Sequence, residues 1–313
     1  MGKTAFLFPG QGSQAVGMGQ EFMEAYSVAK DVFTEADHRL NFELTKLIMN
    51  GPIETLTRTE NAQPALVTTS VAVLEVLREK GITADYTAGH SLGEYSALVA
   101  SGALSFSDAV FAVRNRGLYM EEAVPSGEGA MAAIMGMERE ELQKVVDEVS
   151  ASTATVQLAN LNSPGQIVIS GAKAGVEKAS EVAKENGARR VIPLQVSGPF
   201  HSSLMKPAAD QLSAILEAIE IKDASIPVVA NVTAEPSTSG EEIQKHLLEQ
   251  IYSPVLWEDT VRKLMDLGVD TFIEIGPGNV LSGLVKKVNR RASVHAVGTP
   301  EQLDQFIEKL GEE

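Results

Sequence analysis

The pentapeptide Gly89-His90-Ser91-Leu92-Gly93 constrains this chain more than any other stretch, because the Gly-x-Ser-x-Gly form belongs to a sharp strand-to-helix turn. Small residues around the serine let the backbone bend enough to lift the hydroxyl over a sheet edge, and Gly89 and Gly93 supply that room. The flanks agree: residues 82–88 read as a short strand, and 94–100 as a helix ended by Gly102. Ser91 is therefore the leading candidate nucleophile, carried by an α/β sheet.

Composition narrows the chemistry. The chain has no cysteine, so disulfides, thiolate metal sites and cysteine nucleophiles are excluded together, and a cytoplasmic location is the simplest expectation. With 313 residues and 44% apolar content it can bury a large core. No apolar run approaches the roughly 20 residues needed to span a bilayer. The opening residues read as a strand over 4–8 halted by Pro9-Gly10, so neither signal peptide nor membrane anchor is expected. A net charge of −16 argues against nucleic acid as a partner and leaves any anionic ligand in need of a local basic site.

The first 124 residues alternate short apolar runs with helical patterns: a strand over 4–8, helices over 20–39 and 63–80, the elbow, and a helix over 107–123. Residues 129–197 follow the order βαββαβ, with strands over 130–135, 156–161, 166–170 and 189–196 and helices over 139–149 and 173–186, a ferredoxin-like arrangement. Breakers at Pro125-Ser126-Gly127 and Ser197-Gly198-Pro199 bracket it. The expected organisation is an α/β-hydrolase-like catalytic domain with a parallel sheet, made of residues 1–124 and 199–313, and an inserted small domain over 125–198. Helices over 207–219, 241–250, 257–267 and 280–288 and strands over 228–232 and 271–275 complete the larger unit.

A serine hydroxyl needs a general base, normally a histidine. Five histidines are present. His38 and His246 sit in polar helical stretches, His295 lies in a C-terminal strand, and His90 should project away from its neighbour Ser91. By elimination His201 remains, in a loop where the chain re-enters the larger unit. For the oxyanion of acyl transfer, the backbone N–H of Leu92 is one natural donor, and that of Gln11, in the glycine-rich loop after the first strand, could face the same point. That loop read alone is ambiguous, since a tight turn explains its glycines as well. Spacing singles out neither Arg114 nor Arg116, both on the helix after the elbow.

Five separated motifs go further: Phe-Pro-Gly-Gln-Gly-Ser-Gln at 8–14, Asn-Ala-Gln-Pro-Ala at 61–65, the elbow at 89–93, Gly-Pro-Phe-His-Ser at 198–202 and Glu-Ile-Gly-Pro-Gly at 274–278. From end to end the chain closely resembles the malonyl-CoA:acyl carrier protein transacylases. The resemblance implies transfer of malonyl from malonyl-CoA through Ser91 to acyl carrier protein in fatty acid biosynthesis, with no cofactor or metal. It implies His201 as base, oriented by the backbone carbonyl of Gln250, and the N–H groups of Gln11 and Leu92 as oxyanion hole. It makes Arg116 the clamp for the malonyl carboxylate, lines the pocket with Gln63, and associates Phe200 with malonyl selectivity. A monomer is expected. The main rival is a serine hydrolase or thioesterase built on the same elbow. Acyl carrier proteins are acidic, so two basic clusters, Lys286-Lys287 with Arg290-Arg291 and Arg189-Arg190, are candidate landing sites, or else solvated helix ends.

Overall fold

The computed structural model describes residues 2–312. Strand β1 (Lys3–Phe8) is followed by helices α1 (Gln20–Ala25), α2 (Ser27–Leu40), α3 (Leu44–Asn50), α4 (Ile53–Leu56) and α5 (Thr59–Glu79). Strand β2 (Tyr86–Gly89), α6 (Gly93–Ala100) and α7 (Phe106–Glu122) come next. A second group comprises β3 (Gly129–Met135), α8 (Arg139–Ser152), β4 (Val156–Ser163), β5 (Gln166–Ala172), α9 (Lys173–Glu185) and β6 (Arg190–Pro193). The chain closes with α10 (Lys206–Ala218), β7 (Val228–Val229), β8 (Pro236–Ser237), α11 (Gly240–Gln250), α12 (Trp257–Asp266), β9 (Val269–Ile275), α13 (Val280–Val288), β10 (Ser293–Val297) and α14 (Pro300–Glu312).

The strands form two sheets. The larger has the order β10-β9-β1-β2-β7-β8, parallel throughout except for the antiparallel β7–β8 pair. Chain order departs in opposite directions from β1, so the loops after β1 and β2 meet at the carboxyl edge, where open α/β sheets hold their ligands. The second sheet, β4-β5-β3-β6, is antiparallel. Its strands bury both faces by simple alternation. Ala132, Ile134, Ile167 and Ile169 pack with residues of α8 and α9, whereas Met131, Ala133 and Val168 join the core of the larger unit. A bulge after Leu158 skips Ala159 in the pairing, and the backbone there bridges to Val255, with Val255 N–H donating to Ala159 O at 2.8 Å.

Several sequence expectations need correction. The helix expected over 20–39 is two helices, because Tyr26 is extended at φ −131° and ψ 123° with its ring packed on Phe22. No glycine or proline marks that break. The strand expected over 82–88 begins only at Tyr86: residues 80–82 still finish α5, with Gly81 left-handed and Ile82 N–H donating to Leu77 O. The strand expected over 228–232 stops at Val229, where a turn leads into β8, and that expected over 189–196 narrows to β6. Helices α3, α4 and α14 were not expected.

Two contacts fix the elbow's surroundings. Arg78 donates to the carbonyls of Val99 and Ala100, closing the C-terminal end of α6. The wholly buried Glu274 accepts from the N–H groups of Leu281 and Ser282, so this part of the Glu-Ile-Gly-Pro-Gly motif caps α13. Among the described residues no helix is long and apolar enough to cross a membrane.

Candidate active site

Ser91 leaves the end of β2 with φ +52°, a left-handed conformation that costs a non-glycine residue and here aims its hydroxyl away from the sheet. Two things hold the strain. His90 N–H donates to Phe8 O at 3.0 Å, tying the turn to β1. Asn231 staples it from the other side: its Oδ1 accepts from Ser91 N–H at 2.7 Å and its Nδ2 donates to Gly89 O at 2.7 Å. The glycines serve close approach. A Cβ on Gly93 would stand 2.2 Å from Phe8 O, and one on Gly89 only 1.9 Å from the Gly93 backbone. Gly93→Ala must push α6 off β1, and a loss of at least about 3 kcal/mol is expected, at the upper end of overpacking costs. Thermal melting of the variant checks this, with an unchanged Tm as the contrary result.

His201 is also left-handed, at φ +57°, and is 3% exposed. Its Nε2 lies 2.8 Å from Ser91 Oγ and its Nδ1 2.8 Å from Gln250 O. The carbonyl can only accept, so Nδ1 carries the proton and Nε2 is free to take one from the serine. Burial first, and then the Arg116 charge, push the His201 pKa down to about 3, so the imidazole is neutral at rest.

Arg116 on α7 is 1% exposed. Its Nη2 donates to Ser91 Oγ at 3.1 Å and to Gln250 Oε1 at 3.0 Å, and its Nη1 to Gln63 Oε1 at 2.7 Å. Nε has no partner, and none of the ion pairs among the described residues includes this cation. Arg114 points elsewhere, donating to Glu60 O and Asn61 Oδ1. The structure thus separates two arginines that sequence spacing could not. Gln63 is buried beneath Arg116, with its Nε2 directed at Met120 Sδ.

A cavity of about 180 Å³ opens over these groups. Ser91, His201 and Arg116 form its reactive side, Gln11 and Phe200 border it, and Met131, Leu194 and Val196 supply apolar cover. The backbone N–H groups of Gln11 and Leu92 donate to no acceptor among the described residues. Larger clefts of about 350 and 540 Å³ lie elsewhere and contain neither Ser91 nor His201.

The remaining histidines divide. His38 is exposed, as expected. His246 is half-buried, with Nδ1 buried and unpaired. His90 packs against Trp257 and bonds Asn162 Oδ1 through Nε2, yet still borders the cavity. Sequence reasoning missed Asn231, Glu94 and the Gln250 side chain. Gln250 Nε2 donates to Ser91 O at 3.0 Å and to Glu94 Oε2 at 2.7 Å, and Asn231 N–H donates to the same carboxylate oxygen at 3.1 Å. Glu94 is 3% exposed, and burial raises its pKa to about 7 against the pull of Gln250, Asn231 and Arg116. Its signal was available: a lone carboxylate in the otherwise uncharged helix Gly93–Ala100.

The basic clusters lie away from the cavity. Lys286 Nζ donates to Ala292 O, securing the end of α13, while Lys287 Nζ donates to Gln166 Oε1. Gln166 pairs with Met135, which pairs in turn with Arg190, so the partner of Lys287 and Arg190 lie at the same end of the second sheet, on either side of β3.

Known proteins are similar to this chain in sequence and fold. The acyl transferase domain family matches residues 5–292. The malonyl CoA-acyl carrier protein transacylase of Bacillus subtilis is 62% identical over 313 residues, covering 100% of this chain and 99% of that protein. The acyl carrier protein S-malonyltransferase of Vibrio cholerae superposes with a TM-score of 0.95 at 44% identity, covering 97% of this chain and 99% of the other. A malonyl-transacylase solved in complex with a holo type II PKS acyl-carrier protein gives a TM-score of 0.95 at 44% identity, covering 98% and 99%. On its sequence, its fold and its full-length match, the chain belongs to the acyl transferases and, among them, to the malonyl-CoA:acyl carrier protein transacylases.

Proposed function

We propose that this enzyme moves a malonyl group from malonyl-CoA to the phosphopantetheine thiol of an acyl carrier protein, supplying fatty acid biosynthesis, by a ping-pong route through an ester on Ser91. His201 Nε2 takes the Ser91 proton as Oγ attacks the thioester carbonyl. The N–H groups of Gln11 and Leu92 hold the oxyanion, and the imidazolium returns the proton to the departing coenzyme A sulfur. In the second half His201 deprotonates the carrier thiol, which attacks the ester and regenerates Ser91. Gln250 O holds the histidine tautomer throughout.

The observation that carries this reading is Arg116: a buried cation with no carboxylate in direct contact, 3.1 Å from the nucleophile. Burying an unpaired charge is costly. A substrate that brings its own carboxylate to the acyl pocket, as malonyl does, removes that cost at the place where the acyl carbon must sit. Gln63 backs the guanidinium, and Phe200 closes the wall against a branched acyl chain. We read the protein as a monomer in the cytoplasm. No cofactor is needed for acyl exchange between thiol and hydroxyl. Lys287 and Arg190, at the same end of the second sheet, offer an acidic carrier a landing surface.

The βαββαβ order with sheet order β4-β5-β3-β6 supports the ferredoxin-like description of residues 125–198, and the elbow at the edge of a parallel sheet supports the hydrolase-like description of 1–124 with 199–313. We place the domain boundaries there.

Intact-protein mass spectrometry after brief exposure to malonyl-CoA, followed by a chase with phosphopantetheinylated carrier, tests the reaction. A malonyl adduct is expected on the wild-type protein that passes to the carrier, and none on Ser91→Ala. An adduct lost to water equally fast without carrier marks a hydrolase instead.

A further inference from the structure

We propose that Glu94 is a positioning residue for the Ser91–His201 pair, filling through the Gln250 side chain the part that a carboxylate bonded directly to histidine fills in a Ser-His-Asp triad. This rests on the acyl-transfer reading of the site. Gln250 touches every reacting group: its carbonyl accepts from His201 Nδ1, its Nε2 donates to Ser91 O, and its Oε1 accepts from Arg116 Nη2. Glu94 decides which way that amide faces. With the carboxylate 2.7 Å from Nε2, the amide oxygen is left to face the guanidinium. The reverse orientation sets oxygen against carboxylate and NH2 against cation.

Charge matters as well as orientation. Acylation creates an imidazolium in a buried site that already holds Arg116, and Arg116 opposes protonation of His201. Glu94 interacts with the same guanidinium and favours its charged form. The titratable or charged groups facing this cluster are Arg116 on α7, Tyr95 beside Glu94 on α6, and His90 and His201 in the loops, with Gln250 of α11 and Asn231 after β7 as neutral hydrogen-bonding partners. When Glu94 is protonated, Arg116 acts on His201 unopposed and the anchor on Gln250 weakens. Ionised Glu94 is thus the competent form.

The test follows the rate of Ser91 acylation by malonyl-CoA, by rapid quench and intact mass, between about pH 5.5 and about 8.5, the range in which such groups govern rates. Wild-type acylation is expected to rise with pH through a midpoint near 7. E94Q, which keeps shape and acceptor oxygen but not charge, is expected to be flat across that range, at roughly a tenth to a hundredth of the wild-type plateau. E94D should recover the pH dependence. Stability separates this role from a merely structural one. The raised pKa means the folded chain holds a proton that the unfolded chain releases between the usual 4.5 and about 7, so wild-type stability falls as pH rises across that window. E94Q removes that fall, and its Tm at about pH 8 should match or exceed wild type while its rate is lower. An E94Q variant with the wild-type plateau and pH limb overturns the inference, as does one whose Tm and rate fall together with the limb intact. Should glutamine not be tolerated, a flat wild-type profile alone overturns it. A wild-type protein that forms no malonyl adduct at any pH overturns the acyl-transfer reading itself.

Discussion

Replacing His201 with alanine is expected to slow acylation of Ser91 by roughly 10⁴- to 10⁶-fold, because serine and histidine act as one unit and loss of either removes most of the rate. The structure gives the loss a specific form. Ser91 Oγ donates to Nε2 and accepts from Arg116 Nη2, so without the imidazole the hydroxyl keeps a cation beside it but has no acceptor for its proton. No other side chain stands in. His90 is turned to Asn162, and the Glu94 carboxylate lies behind Gln250. Single-turnover formation of the malonyl adduct reads the effect directly. A variant that acylates within tenfold of wild type means another group is the base, a judgement made on the tenfold scale of a single hydrogen bond.

The second large effect is selective. Arg116→Ala should cost about 2 to 5 kcal/mol in kcat/KM for malonyl-CoA, roughly thirtyfold to several thousandfold, since the substrate carboxylate is then buried unpaired. Acetyl-CoA carries no such group, so its transfer should change far less, and the preference for malonyl over acetyl should collapse. Equal losses for both substrates contradict the clamp. A further sign distinguishes charge from packing. Arg116 is the second cause of the low His201 pKa, after burial, so removing the cation favours the imidazolium, and the titration of His201 in the folded variant should move up from about 3.

How much of this was legible in the chain depended on how local the determinant was. The elbow was, because its turn needs glycine at fixed offsets, and the bond between His201 Nδ1 and Gln250 O is the one expected. Arg116 was not separable from Arg114, since two neighbours on one helix differ only in what lies opposite each face, and that is tertiary information. The break at Tyr26 was invisible for the same reason: the ring's contacts override a sequence with good helical propensity. Asn231 and the Gln250 side chain come from regions 140 and 159 residues beyond Ser91, and no periodicity announces them. Glu94 differs, since a charged residue inside a fully buried helix breaks the apolar pattern and invites a functional explanation.

The cavity takes Ser91, His201 and Arg116 from the elbow after β2, the loop before α10 and helix α7, and its apolar cover from Met131, Leu194 and Val196, in and just after the strands of the second sheet. On the proposed function, the apolar cover over the acyl chain, Phe200 apart, thus comes from a different stretch of chain than the groups that do the chemistry. An engineer or natural selection can therefore retailor the ceiling over the acyl group while the nucleophile, base and guanidinium keep their places, so that substrate range evolves as an exchangeable part.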